Sequence, residues 1–149
     1  MWKTVCLLCY FMVLSVYDIR TRKIPMSWLI IGGVAALVNL IYLGCCRPPL
    51  EFWSELLKSW APGLLMLLAG WLGGRVGCGD GCVLLVAGSI LGSEKITAVF
   101  LGGLLIAAMT AGVLLAFRKV KKNDKLPFIP FLTVSALVLE GMGLGRGVL

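Results

Sequence analysis

The sequence predicts an all-α integral membrane protein, a bundle of about six transmembrane helices with both termini outside. Three observations carry this. The 149 residues are 60% hydrophobic and only 14% charged, against roughly 25% charged in a soluble domain, and the mean hydropathy is +0.99. The apolar residues gather into six runs, and the basic residues behind the net charge of +7 gather between alternate runs. At this length residues 1–149 make a single membrane domain.

The first run, Trp2 to Tyr17, has Lys3 near its start, as a secretory signal would. No small-residue cleavage site follows and basic residues do, so the run reads as a retained helix. The second spans Met26 to Leu43. The third, Ala61 to Gly74, falls short of the ~20 residues a span needs and must recruit its flank. That flank, "EFWSELLKSW", sets Phe52, Trp53, Leu56, Leu57 and Trp60 on one helical face. It suits an interfacial helix on the outer leaflet or the start of the third span. The fourth run, Cys82 to Gly92, gains length by taking in Val76 to Gly81, which puts Asp80 inside the span about a turn from its end. The fifth and sixth cover Ile96 to Phe117 and Leu126 to Met142.

The positive-inside rule orients these runs. Arg20, Arg22 and Lys23 follow the first, Arg75 the third, and Arg118, Lys119, Lys121, Lys122 and Lys125 the fifth. The other connections balance Arg47 and Lys58 against Glu51 and Glu55, and Lys95 against Glu94. All three basic connections are therefore cytoplasmic, in a multi-pass protein of the cell inner (cytoplasmic) membrane. Clusters of this kind fit topology and anionic membrane lipid, with no nucleic-acid partner. The 19 glycines include Gly70 and Gly74, Gly88 and Gly92, and the pair Gly102 and Gly103, spacings that let membrane helices approach closely.

The chain has no histidine, which excludes HExxH zinc proteases and Ser-His or Cys-His nucleophile pairs. Its six cysteines, Cys6, Cys9, Cys45, Cys46, Cys78 and Cys82, several of them within apolar runs, include no two C-x-x-C pairs for a zinc ribbon and read as small, structural hydrophobes.

The segment "GCGDG", Gly77 to Gly81, admits three readings. A phosphate loop lacks the lysine-serine pair and would set Asp80 against the anion. A thiol site at Cys78 or Cys82 lacks a base. The third reading is an acid placed at membrane depth for function. Glu51, Glu55, Glu94 and Asp124 lie in polar connections and Glu140 near the outer end of the last helix; only Asp18 and Asp80 sit at cytoplasmic helix ends. Taken singly, Asp18 also reads as a solvated flank and Asp80 as a helix cap. As a pair, they can meet.

"DIRTRKIP", Asp18 to Pro25, resembles the first aspartate motif of the type IV prepilin peptidases, and "GCGD" resembles their G-x-G-D motif. "LPFIPFL", Leu126 to Leu132, resembles the proline-phenylalanine segment before that family's last helix. The resemblance implies a polytopic aspartyl protease that removes short basic leaders from type IV prepilins, pseudopilins or Flp-type pilins, with Asp18 and Asp80 as the catalytic pair. Gly77, Gly79 and Gly81 would let an extended peptide approach Asp80 or would serve helix packing. Arg20, Pro25, Pro127 and Pro130 would shape the site from the other two motifs, with Arg20 also a topology determinant. Two departures concern substrate details: Cys82 stands where members often have lysine, and Met26 where they often have asparagine. The paired-cysteine N-terminal segment of bifunctional members, linked to methylation, has no counterpart before Trp2, so a peptidase-only form is expected.

Two close carboxylates cannot both ionise cheaply, so they share a proton. The charged one activates a water and the protonated one polarises the scissile carbonyl, with no metal or cofactor. The competing classes are a small proton- or cation-coupled transporter using the same two aspartates and a catalytically silent assembly protein.

The assigned topology is testable with an impermeant thiol reagent added outside intact cells. It should label Cys45 or Cys46 and spare Cys78; labelling of Cys78 alone would invert the orientation.

Overall fold

The computed structural model describes residues 2–21, 25–46, 48–73, 77–117 and 128–142. Among these the chain forms six α-helices and no strand: α1 (Trp2–Thr21), α2 (Met26–Cys46), α3 (Pro49–Gly73), α4 (Cys78–Leu91), α5 (Ser93–Ala116) and α6 (Ile129–Gly141). Arg22, Lys23, Arg47, Gly74, Arg75, Pro127 and the basic run from Arg118 to Lys125 lie outside the described residues.

The helices follow the order of the six apolar runs and differ from them in extent. The first helix continues past Tyr17 to Thr21, so Asp18 lies within its last turns. The stretch from Glu51 to Trp60 is not a separate element but the beginning of α3, a helix of 25 residues continuous through Pro62. The α4–α5 connection is the single residue Gly92, and Glu94 falls in the first turn of α5, where the helix dipole favours an acid.

Stretches long and apolar enough to cross a membrane occur in three helices, at Thr4–Thr21, Met26–Cys46 and Ser93–Leu114. With 14 and 13 residues, α4 and α6 are shorter apolar helices. The length of α4 is set by its ends: Gly77 is extended, with φ −69° and ψ 123°, and Gly92 takes a φ of 84°, a left-handed conformation open to glycine at little cost. Gly92 therefore ends a helix; a side chain there would meet nothing, so the expected packing role for Gly92 does not apply.

The bundle is built around α4, which packs on α1, α2, α3 and α5. Gly81, Val83, Leu84, Val86, Ala87, Gly88 and Ser89 are all buried, as expected of a helix apolar on every side. The closest seam joins α3 and α4. A Cβ on Gly63 would lie 2.9 Å from the Leu85 backbone nitrogen, one on Gly81 3.1 Å from that of Leu67, and one on Gly88 would collide with the Ser59 carbonyl oxygen. On α1 the buried residues Leu7, Phe11, Leu14 and Asp18 form one stripe at helical spacing. The outward faces are as apolar as the inward ones: Ile30, Val34, Leu37 and Ile41 of α2 and Leu101, Leu105 and Met109 of α5 are all exposed, a surface suited to lipid.

Because lipid is as apolar as the core, packing and polar bonds must hold the helices together. The Trp60 indole N–H donates to Ser89 Oγ at 2.9 Å and the Asn39 amide to the Ser89 carbonyl at 2.7 Å, tying α3 and α2 to α4. Ser135 donates to the Val99 carbonyl at 2.9 Å, and Thr133 to the Phe11 carbonyl at 3.4 Å, tying α6 to α5 and α1.

Gly88→Ala should lower stability by about 1–3 kcal/mol, because the added methyl meets a backbone carbonyl that cannot rotate away. Gly112→Ala, where a Cβ meets nothing, should leave stability unchanged or slightly raised. Thermal unfolding of the protein in detergent measures both.

Candidate active site

Three helix ends converge at one end of the bundle: the last turns of α1, the first turn of α4 and the first turn of α6. Asp18 comes from the first, Asp80 from the second. Asp18 continues the core-facing stripe of α1, so its carboxyl points inward and the residue is only 6% exposed. Asp80 lies in the first turn of α4 and is half-buried. The two carboxyls are near enough to act on one another electrostatically.

Asp18 is held by α6. Its Oδ2 accepts the Ile129 backbone N–H at 3.3 Å, and the Phe128 amide faces the same carboxyl. The local sequence of α6 explains why. A helix start leaves its first N–H groups without intrahelical partners, and Phe128 at the N-cap offers no capping side chain. Pro130, half-buried at the second helical position, has no N–H. The amides of Phe131 and Leu132 turn back to the Phe128 carbonyl, at 3.1 and 3.3 Å. The Ile129 amide remains, on a fully buried residue, and a carboxylate 111 residues earlier in the chain answers it. Sequence reasoning missed this bond. Its signal was a helix opening on Phe-Ile-Pro, with no Ser, Thr, Asn or Asp to cap it.

The glycines of GCGDG divide. Gly77 is exposed and precedes the helix; its carbonyl accepts the Asp80 N–H at 3.0 Å, and a Cβ there would stand 3.4 Å from Asp80 Oδ2. Gly79 is half-buried. Gly81 faces α3, where a side chain would strike Leu67; its contact is with a neighbouring helix. Pro25 opens α2, its carbonyl accepting the amides of Trp28 at 3.1 Å and Leu29 at 3.4 Å. Arg20 is exposed at the end of α1, where a cation suits the helix dipole. Pro127 lies outside the described residues.

The cysteines lie outside the buried core. Cys6, Cys9, Cys45, Cys46 and Cys78 are exposed and Cys82 is half-buried, all as free thiols. Cys6 and Cys9 take the faces of α1 opposite its buried stripe, which explains how they sit in an apolar run without entering the core. A cavity of about 150 Å³ lies at the opposite end of the bundle from the aspartates, lined by Thr4, Leu8, Glu94, Lys95, Leu139 and Glu140 among others. Neither aspartate reaches it.

This arrangement sets two carboxyls at one end of a helical bundle, one buried and bonded to a helix start, the other half-buried and within electrostatic reach of it. No curated protein and no solved structure matches the chain. The profile of the type IV leader peptidase family matches residues 5–115, which include both aspartates and stop short of α6. The match covers well over half of the sequence, and the chain belongs to the type IV leader peptidase family.

Proposed function

We propose that this member of the family is a prepilin leader peptidase, a membrane aspartyl endopeptidase using Asp18, Asp80 and an activated water. The family makes it a leader-peptidase-like protease. The observation that supports the aspartyl mechanism is the electrostatic pairing of Asp18 with Asp80 where α1 and α4 end together. The substrate is a type IV prepilin, pseudopilin or Flp-type pilin precursor, cut at the end of its short basic leader.

In the sequence, the connections that follow α1, α3 and α5 carry the basic residues Arg20, Arg22 and Lys23, Arg75, and Arg118 to Lys125, and the helix ends next to the first two carry Asp18 and Asp80. By the positive-inside rule those ends face the cytoplasm. The chain then crosses the inner membrane six times, with both termini outside, α4 and α6 crossing with the help of their flanks. A leader lying in the cytoplasm and an apolar pilin helix lying in the bilayer would meet at this depth. Neither the exposed Gly77 nor the half-buried Gly79 sets a side chain of its own beside Asp80. The chemistry needs neither metal nor cofactor: a proton shared between two carboxyls supplies one base and one acid.

Asp18→Asn and Asp80→Asn should each lower leader removal from a co-expressed prepilin by on the order of 10²–10⁴-fold, the usual worth of a positioned acid or base. Membrane insertion should be unchanged. The readout is the mobility shift of the pilin on a gel, and full processing by either variant rules out the pair.

A further inference from the structure

The geometry points to a fixed division of labour within the pair: the first backbone amides of α6 hold Asp18 as the charged general base, and Asp80 holds the shared proton and acts as the acid. This rests on the peptidase reading above and adds what that reading leaves open, namely which carboxyl does what and which element decides it. Phe128 and Ile129 are positioning residues, acting through Asp18.

The two carboxyls have different partners. Asp18 Oδ2 receives the Ile129 N–H at 3.3 Å, with the Phe128 amide facing the same group. A backbone N–H can only donate, so it favours the carboxylate over the acid, and a charge-assisted bond of this kind is about twice as strong as a neutral one. The donor sits at the positive end of a helix dipole. It is also buried, so protonating Asp18 would weaken the one partner that a buried amide has here.

Asp80 has no comparable support. Among the described residues no hydrogen bond is made to its carboxyl. It too lies at a helix start, and that favours its charged form; but its own N–H is spent on the Gly77 carbonyl. A direct bond outweighs a dipole felt without one. One proton between two carboxyls then rests on Asp80. Among the described residues, few other charged or titratable groups face the pair. Cys78 and Cys82 share α4 with Asp80, Tyr17 and Arg20 share α1 with Asp18, and Arg20 is exposed, where solvent screens it. On α6 the described residues carry Glu140 alone, at the far end, and the facing turns of α2, α3 and α5 carry none.

The reaction follows in balanced steps. Asp18 takes a proton from water as the water oxygen bonds to the scissile carbonyl carbon. The carbonyl oxygen, receiving the electron pair, takes the proton from Asp80. The resulting diol then returns a hydroxyl proton to Asp80 as the carbon–nitrogen bond breaks, and the leaving nitrogen takes the proton held by Asp18. Both carboxyls end as they began.

The test uses the unmodified protein in lipid nanodiscs. The amide proton of Ile129 is followed by NMR against pH and compared with the pH profile of kcat/KM for leader cleavage, which has an acid limb and an alkaline limb. An amide bonded to a carboxylate shifts when that carboxylate is protonated. The Ile129 resonance should move along the acid limb, where the base takes up its proton, and stay still along the alkaline limb. Asp18→Asn should abolish the movement. A resonance that moves along the alkaline limb makes Asp18 the acid, and one that moves along neither uncouples α6 from Asp18; either overturns the assignment. Wild-type protein that cleaves no leader would instead refute the peptidase reading itself, a result read from the activity arm alone.

Discussion

The bundle depends on the close approach of α3 to α4. In a bilayer no hydrophobic force pulls helices together, so a short helix stays in place only if its neighbours come within backbone contact. Gly63 on α3 and Gly81 and Gly88 on α4 supply that contact from both sides. With α3 seated there, α1, α2 and α5 close the other sides of α4, and the N-terminal turn that carries Asp80 is set at a defined depth. The rest of the site follows from this placement: α1 brings Asp18 alongside, and α6 packs on α1 and begins at Asp18.

Burial of Asp18 and burial of the α6 start solve one problem jointly. A carboxylate out of water needs donors, and a helix start out of water needs acceptors. Each alone would cost several kilocalories per mole by the usual measure of unpaired buried groups. Together they make one bond, which ties α1 and α6 at the end that carries the two aspartates while Thr133 ties them farther along. The same economy explains why Phe128, Ile129 and Pro130 need no polar side chain between them.

Much of this was legible in the sequence. Six apolar runs became six helices, because apolar runs of this length leave the backbone no other way to satisfy itself in lipid. Asp18 and Asp80 stood out as the two acids at helix ends on one side, and in the structure their carboxyls influence one another electrostatically. Helix limits were less legible. The stretch with Glu51, Glu55 and Lys58 read equally as an interfacial helix or as the start of the third span, and α3 passes through it, since these charges lie on turns beyond the apolar stretch and cost the helix nothing. Glycine roles depended on neighbours that spacing alone does not name: Gly88 packs, while four residues later Gly92 breaks the helix. The Asp18–Ile129 bond joins positions 111 residues apart, and no local pattern encodes a partner at that range.

On the proposed function, this bundle alone cuts a leader peptide by carboxyl chemistry. The most direct measurement is to incubate the purified protein, in lipid vesicles, with a purified prepilin and a metal chelator, and to read the product's new N-terminus by mass spectrometry. One cut is expected, between the short basic leader and the apolar helix, undiminished by the chelator. An uncut substrate, cuts scattered along the apolar helix, or cleavage that stops when metal is removed would contradict that function.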